Sequence, residues 1–178
     1  MRKALVLVCV MVIVMMFMGA ASADAAYRIG MGVNEFTVFG SISNMSPSTG
    51  DSIKTTIVAA GYNRFVTNDI SAGANIETVT ASSGGNKAEM TFIEINGKYH
   101  FIRKGEPLVP YAGLYLGRVS MKAGDVSESG TEFKPAVGLK YFVSDNTSVN
   151  AELSYSRASI GGETTNTTAL NFGLSVYF

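Results

Sequence analysis

From Tyr27 to Phe178 apolar and polar residues alternate with a period of two, and helical spacing is nearly absent. The clearest case closes the chain: Leu170, Phe172, Leu174, Val176 and Phe178 fall on one face, and Asn171, Gly173, Ser175 and Tyr177 on the other. "SVNAELSY" sets Val149, Ala151, Leu153 and Tyr155 against Ser148, Asn150, Glu152 and Ser154. "AVGLKYFV" sets Val137, Leu139, Tyr141 and Val143 against Ala136, Gly138, Lys140 and Phe142. "ISAGANIE" sets Ile70, Ala72, Ala74 and Ile76 against Ser71, Gly73, Asn75 and Glu77. Successive side chains of a strand point to opposite faces, so each stretch predicts a strand with one apolar and one polar side. Eight such strands are predicted, at roughly 28–42, 53–66, 70–80, 90–102, 109–122, 131–143, 148–160 and 166–178.

The connections come in two kinds. "TND", "RKGEPL" and "SDNT" are tight and rich in turn residues, whereas "SNMSPSTGDS", "ASSGGNKAE", "AGDVSESG" and "GGETT" are longer and polar. Short turns at one end and longer loops at the other predict an all-β fold, an eight-stranded antiparallel up-and-down transmembrane β-barrel. A repeat supports it. "GYNRFVTND" from Gly61, "GKYHFIRKG" from Gly97 and "GLKYFVSDN" from Gly138 each place Phe four residues after the glycine, and "GLSVYF" opens on a fourth glycine, Gly173. A period of about 40 residues also suits a propeller, but that needs four short strands per repeat where this chain has two long ones. In a barrel the repeat is one hairpin. The glycine sits where a narrow interior and a bending sheet leave little room, and the aromatics, with Tyr62, Tyr99 and Tyr141 among them, sit at the membrane boundary.

The first residues belong to a different pattern. "MRK" precedes the apolar run "ALVLVCVMVIVMMFMG" and the small residues "AASADAA", the order of a secretory signal peptide. Cleavage is expected after Ala23, with Ala25 as the offset alternative, dividing the chain into a signal peptide over 1–23 and a barrel domain over 24–178. Cys9, the one cysteine, lies in the removed part, so no disulfide or cysteine-ligated metal is expected. Loss of Arg2 and Lys3 leaves a slightly acidic chain, which argues against a nucleic-acid partner. After the signal no apolar run reaches the ~18 residues of a spanning helix, so a membrane form must be a closed barrel.

The ending "NFGLSVYF" resembles the C-terminal assembly signal of outer-membrane barrels, with Asn171, Gly173, Val176 and Phe178 in the matching places. "RIGMGVNEFTVFGSIS", with Gly30 and Gly32, is similar to the first strand of small barrels of the outer-membrane protein A and X type. "GLKYFVSDNTSVNAELSY" resembles the sixth and seventh strands of that group with their turn. The resemblance implies a bacterial outer-membrane location and contact with outer-membrane lipids and lipopolysaccharide. It also implies handling by periplasmic chaperones and the barrel assembly machinery on the way. Many relatives carry a peptidoglycan-binding domain, which is not expected where the sequence ends at Phe178. Pro135 departs from the pattern, because proline breaks a ladder bond; a bulge or a position above the bilayer is expected there.

Eight strands enclose a lumen just wide enough for side chains to fill. Alternation assigns Glu77, Lys140 and Glu152 to the inside, together with Glu94, Lys98 and His100 on the fourth strand. Buried charges must be paired, so mixed signs in one lumen predict a plugging network; a switching set that opens a pore is the alternative. Lys140 and Glu152 flank the "SDNT" turn and are expected to lie opposite one another, where the resembled group carries an interior pair of reversed sign. The fourth strand reads two ways. Alternation from Ile93 and Ile95 turns His100 inward, whereas alignment on the repeat turns it outward, and one bulge would reconcile them. Catalysis by His100 needs a serine held by it, and no His-x-Ser arrangement occurs nearby. "GMGVNE" lacks the lysine ending of a phosphate loop and reads as small inward residues. "GDVSE" and "ETTN" lack calcium-loop spacing, so no cofactor or metal is expected. Lys54, Arg118, Lys122 and Arg157 fall near outer strand ends, where they pair with lipopolysaccharide phosphates or stand as solvated boundary residues. The function expected is that of a non-enzymatic barrel with a filled lumen and a structural or surface-interaction role. The alternative is a narrow pore or conduit for small, apolar solutes, and a third reading is a lipid-modifying enzyme.

Overall fold

The structure, a computed structural model, describes residues 29–45, 53–84, 86–102, 105–123 and 126–178. Eight strands follow in order: β1 (Asn34–Met45), β2 (Ile53–Phe65), β3 (Ile70–Ser83), β4 (Asn86–His100), β5 (Leu108–Ala123), β6 (Val126–Ser144), β7 (Thr147–Ile160) and β8 (Glu163–Tyr177). Each pairs antiparallel with its neighbour in sequence, and β8 pairs with β1, closing the barrel. The signal peptide expected over 1–23 and the expected cleavage sites lie outside the described residues.

The period of two becomes the wall of this cylinder. Val38, Val58, Ile76, Ile93, Ile95, Leu114, Leu116, Val137, Leu153 and Leu174 point outward and are 42–67% exposed. Water would make so broad an apolar surface an aggregation site, so it faces lipid. The polar partners of these residues line the inside.

The strands run farther than the sequence suggests at the end away from the termini. "ASSGGNKAE", "AGDVSESG" and "GGETT" are not longer loops; β3, β4, β5, β6 and β8 run into them until Ser83 pairs with Asn86, Ala123 with Val126 and Ile160 with Glu163. Gly161 and Gly162 have φ of +59° and +87°, the mirror-image turn that matches the right-handed twist of a hairpin. Ser and Thr clusters there are the solvated tips of strands. β6 has 19 residues, against the roughly 9–11 that cross a bilayer. The loop over 46–52 lies outside the described residues.

At the other end the chain enters differently from expectation. Residues 29–33 precede β1 rather than belonging to it, so Gly30 and Gly32 are not small inward residues of a first strand. Gly32 adopts φ +92° in a turn, and its N–H donates to the Phe65 carbonyl (2.9 Å). The Phe65 N–H in turn donates to the Val33 carbonyl (2.9 Å). This turn tucks Ile29 and Val33 against Phe65, Val109, Phe142 and Tyr177, with Ile102 alongside, and caps the mouth with an apolar plug.

Pro135 sits in β6 between lipid-facing Phe133 and Val137, and there is no bulge at it. It pairs with Leu114 on β5, while the β6–β7 ladder passes over Lys134 and Pro135 and resumes in the same register at Ala136. The missing N–H is thus absorbed as an interruption of one ladder. The irregularity of that hairpin lies instead between Phe142 and Ser144, beside the turn. The β1–β8 seam is also incomplete: its ladder runs from Glu35–Tyr177 to Gly40–Phe172, and the part of β1 beyond Gly40 pairs with β2 alone.

Gly138 shows how tightly the lumen is filled. A Cβ there would run into the Tyr111 ring. Gly138→Val is expected to lower stability by about 1–3 kcal/mol through overpacking. The check is urea unfolding of the refolded barrel in lipid vesicles, followed by the gel-mobility difference between boiled and unboiled samples.

Candidate functional site

Inward positions are odd-numbered on β1, β2, β3, β5 and β8 and even-numbered on β4, β6 and β7. That parity places Glu77, Glu94, Lys98, His100, Lys140 and Glu152 inside one lumen. It adds Glu35, Tyr111, Tyr115, Glu132 and Lys134, which the sequence reading did not single out. Alternation through "NEFTVF" and "PYAGLYLG" carries the signal for Glu35 and the tyrosines. Lys134 and Glu132 were hidden by the proline next to them, which made the strand boundary uncertain.

Three linked nodes fill the middle of the barrel. In the first, Lys140 on β6 reaches across the lumen to form an ion pair with Glu35 Oε1 on β1. Ser175 Oγ (2.7 Å) and Thr37 Oγ1 (2.8 Å) donate to the same carboxylate. In the second, Glu152 Oε2 accepts from Tyr111 (2.9 Å) and Tyr115 (2.7 Å) hydroxyls. Lys98 Nζ lies over those two rings, 5.6 and 5.3 Å from their centroids, a distance at which a ring face attracts a cation. In the third, Lys134 Nζ sits 2.8 Å from Glu77 Oε2 and 2.7 Å from Glu94 Oε1. The first of these is a hydrogen bond, and Asn75 Nδ2 donates to the other oxygen of Glu94 (2.9 Å). Ser156 Oγ donates to Glu132 nearby.

Beyond these nodes, Phe92, Val119 and Ala158, with Val79, Met90 and Ile160 against them, form a second apolar cluster. The lumen is therefore layered: an apolar plug, an ionic middle and an apolar layer above it.

Lys140 and Glu152 do not face each other. Lys140 pairs with Asn150 and Glu152 with Gly138, because the hairpin is centred one residue earlier than the sequence suggests. Moving the centre by one shifts every partner by two and leaves the facing unchanged. Lys140 instead finds its partner across the lumen on β1, and Glu152 finds its partners on β5, one strand beyond β6.

His100 points inward and is fully buried, and β4 is continuous with both neighbours, so no bulge is needed. The repeat slips by one residue here. Phe65 and Phe142 are inward, whereas Phe101 is outward and packs edge-on against Tyr99 (4.9 Å between centroids). Gly97 likewise faces out, unlike Gly61, Gly138 and Gly173. His100 takes the inward place, between the rings of Phe65 (4.8 Å) and Tyr111 (5.7 Å). Its Nε2 lies 3.0 Å from Ser71 Oγ, a serine brought by the neighbouring strand rather than by local spacing. Both residues have 0% exposure, so a substrate has no approach to the pair.

The chain's last strand places Asn171 and Gly173 inward and Val176 and Phe178 outward. A Cβ on Gly173 would strike the Val38 carbonyl and the Phe39 ring, so the residue lets β8 close on β1. Tyr62, Tyr99 and Tyr141 face outward near the plugged mouth, and Tyr62 donates to Asn34 Oδ1 (2.9 Å). Among the described residues no cluster of His, Cys, Asp or Glu could hold a metal ion.

A closed antiparallel cylinder with apolar walls and an ion-paired interior defines a transmembrane barrel. The outer membrane protein beta-barrel domain family matches residues 5–178, and the chain belongs to that family and to the outer membrane. Among solved structures, Neisserial surface protein A (NspA) superposes with a TM-score of 0.64 at 16% identity, covering 85% of this chain and 100% of that one. The N-terminal β-barrel domain of Pseudomonas aeruginosa OprF gives 0.60 at 18%, covering 84% and 99%. Pseudomonas aeruginosa OprG gives 0.58 at 12%, covering 87% and 99%. At these identities they show the shared fold. No curated protein matches the chain.

Lys140→Met is expected to destabilise the barrel by about 3–5 kcal/mol, because Glu35 is left buried without its cation. Adding Glu35→Gln should recover much of that loss. Unfolding midpoints of the two variants and the parent, measured in the same vesicles, provide the check.

Proposed function

We propose that this chain is a sealed, non-enzymatic barrel that serves the outer membrane as a structural or surface-interaction element. One observation carries the reading: the Lys140–Glu35 pair crosses the lumen between two apolar layers. An ion moving along the axis must part a desolvated pair and then displace a packed plug of Phe65, Val109, Phe142 and Tyr177. Both steps are costly in a low-dielectric interior. The polar strand tips at the far end supply the surface that meets the outside.

A narrow pore is the second reading, and a specific feature favours it. Asn63 Oδ1, both amide atoms of Asn96 and Asn171 Oδ1 are buried without protein partners among the described residues. Polar atoms of that kind are suited to a thread of water. Planar-bilayer recording separates the two. The purified, refolded protein is expected to leave the membrane silent, and steady discrete openings would defeat the sealed reading. Phe65→Ala combined with Phe142→Ala, which empties the plug, is expected to raise the frequency of current steps.

A further inference from the structure

The outer wall changes character abruptly on one side of the barrel. On β5 the lipid-facing positions Leu114 and Leu116 are followed by Arg118 and, farther out, Lys122. On β7 Leu153 and Tyr155 are followed by Arg157. On β6, between them, Phe133 is followed by Thr131 and Ser129. The register joins Arg118 to Thr131 and Arg157 to Phe133, so the two arginines flank one strand within one step of the same height. All three cations are exposed, and among the described residues none has an acidic partner. The outward carboxylate of β4, Glu89, stands opposite Lys122 in the register and is held by Lys87 (3.1 Å). The wall beyond these three strands differs: β8, next to β7, presents Asn166 opposite Arg157 and Thr168 opposite Tyr155, and β3 presents Thr78 and Thr80.

An uncompensated pair of guanidiniums at the upper edge of an apolar band has a definite complement. The ligand must carry anionic oxygens at that height and hydrocarbon below it. Arginine's planar fork matches phosphate oxygens two at a time, and such charge-assisted bonds strengthen where lipid excludes water. We propose that the outward face of β5–β7 docks the phosphate-bearing headgroup of an outer-leaflet glycolipid. Arg118 and Arg157 take the phosphate, Thr131 between them offers its hydroxyl, and the acyl chains lie along Leu116, Phe133 and Tyr155. This site rests on the outward wall alone, and it stands whether the lumen conducts or not.

The test is native mass spectrometry of the full refolded protein in detergent, titrated with lipid A and, separately, with the same lipid stripped of its phosphates. The parent is expected to retain the phosphorylated form with an affinity on the order of tenfold higher than the stripped form. R118Q/R157Q should remove that difference, while K54Q, a cation on another strand, should keep it. Gel mobility of unboiled samples checks that each variant is folded, and single R157Q replaces the double variant if it is not. Equal retention of the two lipids by the parent, unchanged preference in R118Q/R157Q, or an equal loss in K54Q would each overturn the proposal. Binding of inorganic phosphate without any lipid retention would overturn it as well.

Discussion

In hydrocarbon no water satisfies an unpaired backbone N–H or C=O, so a sheet that enters a membrane must leave no edge. Closure of eight antiparallel strands meets that demand, and most other features of this protein follow from it. The wall must be apolar where lipid touches it. The lumen of so few strands must be filled by side chains, since its bore suits nothing larger. Small residues then mark the tightest points, as Gly138 does beneath the Tyr111 ring and Gly173 beside Phe39.

What fills the lumen need not have been ionic. Apolar residues of similar volume would pack it as well, and buried ion pairs often add little net stability once desolvation is counted. The interior nevertheless holds Glu35, Glu77, Glu94, Glu132 and Glu152 with Lys98, Lys134 and Lys140. Their geometry suggests a role in specificity. Lys140–Glu35 links β6 to β1, Lys134 links β6 to β3 and β4, and the tyrosines of β5 meet Glu152 on β7. Each link joins strands that are not neighbours, or braces a hairpin from within. An apolar filling would tolerate a slipped register, whereas these pairs fit one arrangement of strands.

Much of this was legible in the order of residues. The facing of Glu77, Lys140, Glu152 and the whole of β8 follows from strict alternation, which a two-sided wall enforces. The partners were not legible. Adjacent-strand reasoning sent Lys140 to Glu152, but in a narrow cylinder the far wall is as near as the next strand, and Glu35 is the residue that waits there. His100 shows a second limit. The aromatic repeat invited alignment of Phe101 with Phe65 and Phe142, yet the pleat has priority over a motif, and the histidine fell inward. The far-end hairpins were missed because Ser, Thr and Gly mark loops in water-soluble sheets, while a barrel strand that rises above the bilayer is solvated on its outer side and takes the same residues.

The seam between β1 and β8 differs in kind from the other junctions. Seven of the strand pairs join consecutive strands, so their formation is local. This one brings together residues about as far apart in sequence as the barrel allows, as the Ser175–Glu35 bond at a separation of 140 positions shows. It therefore has the largest loop-closure entropy to overcome and the shortest ladder with which to do so. The line that makes the sheet a cylinder is thus its weakest one. Under mechanical load or heat the wall should part there first and unroll as an intact ribbon of hairpins, with the Glu35 cluster acting as the rivet that holds the joint shut.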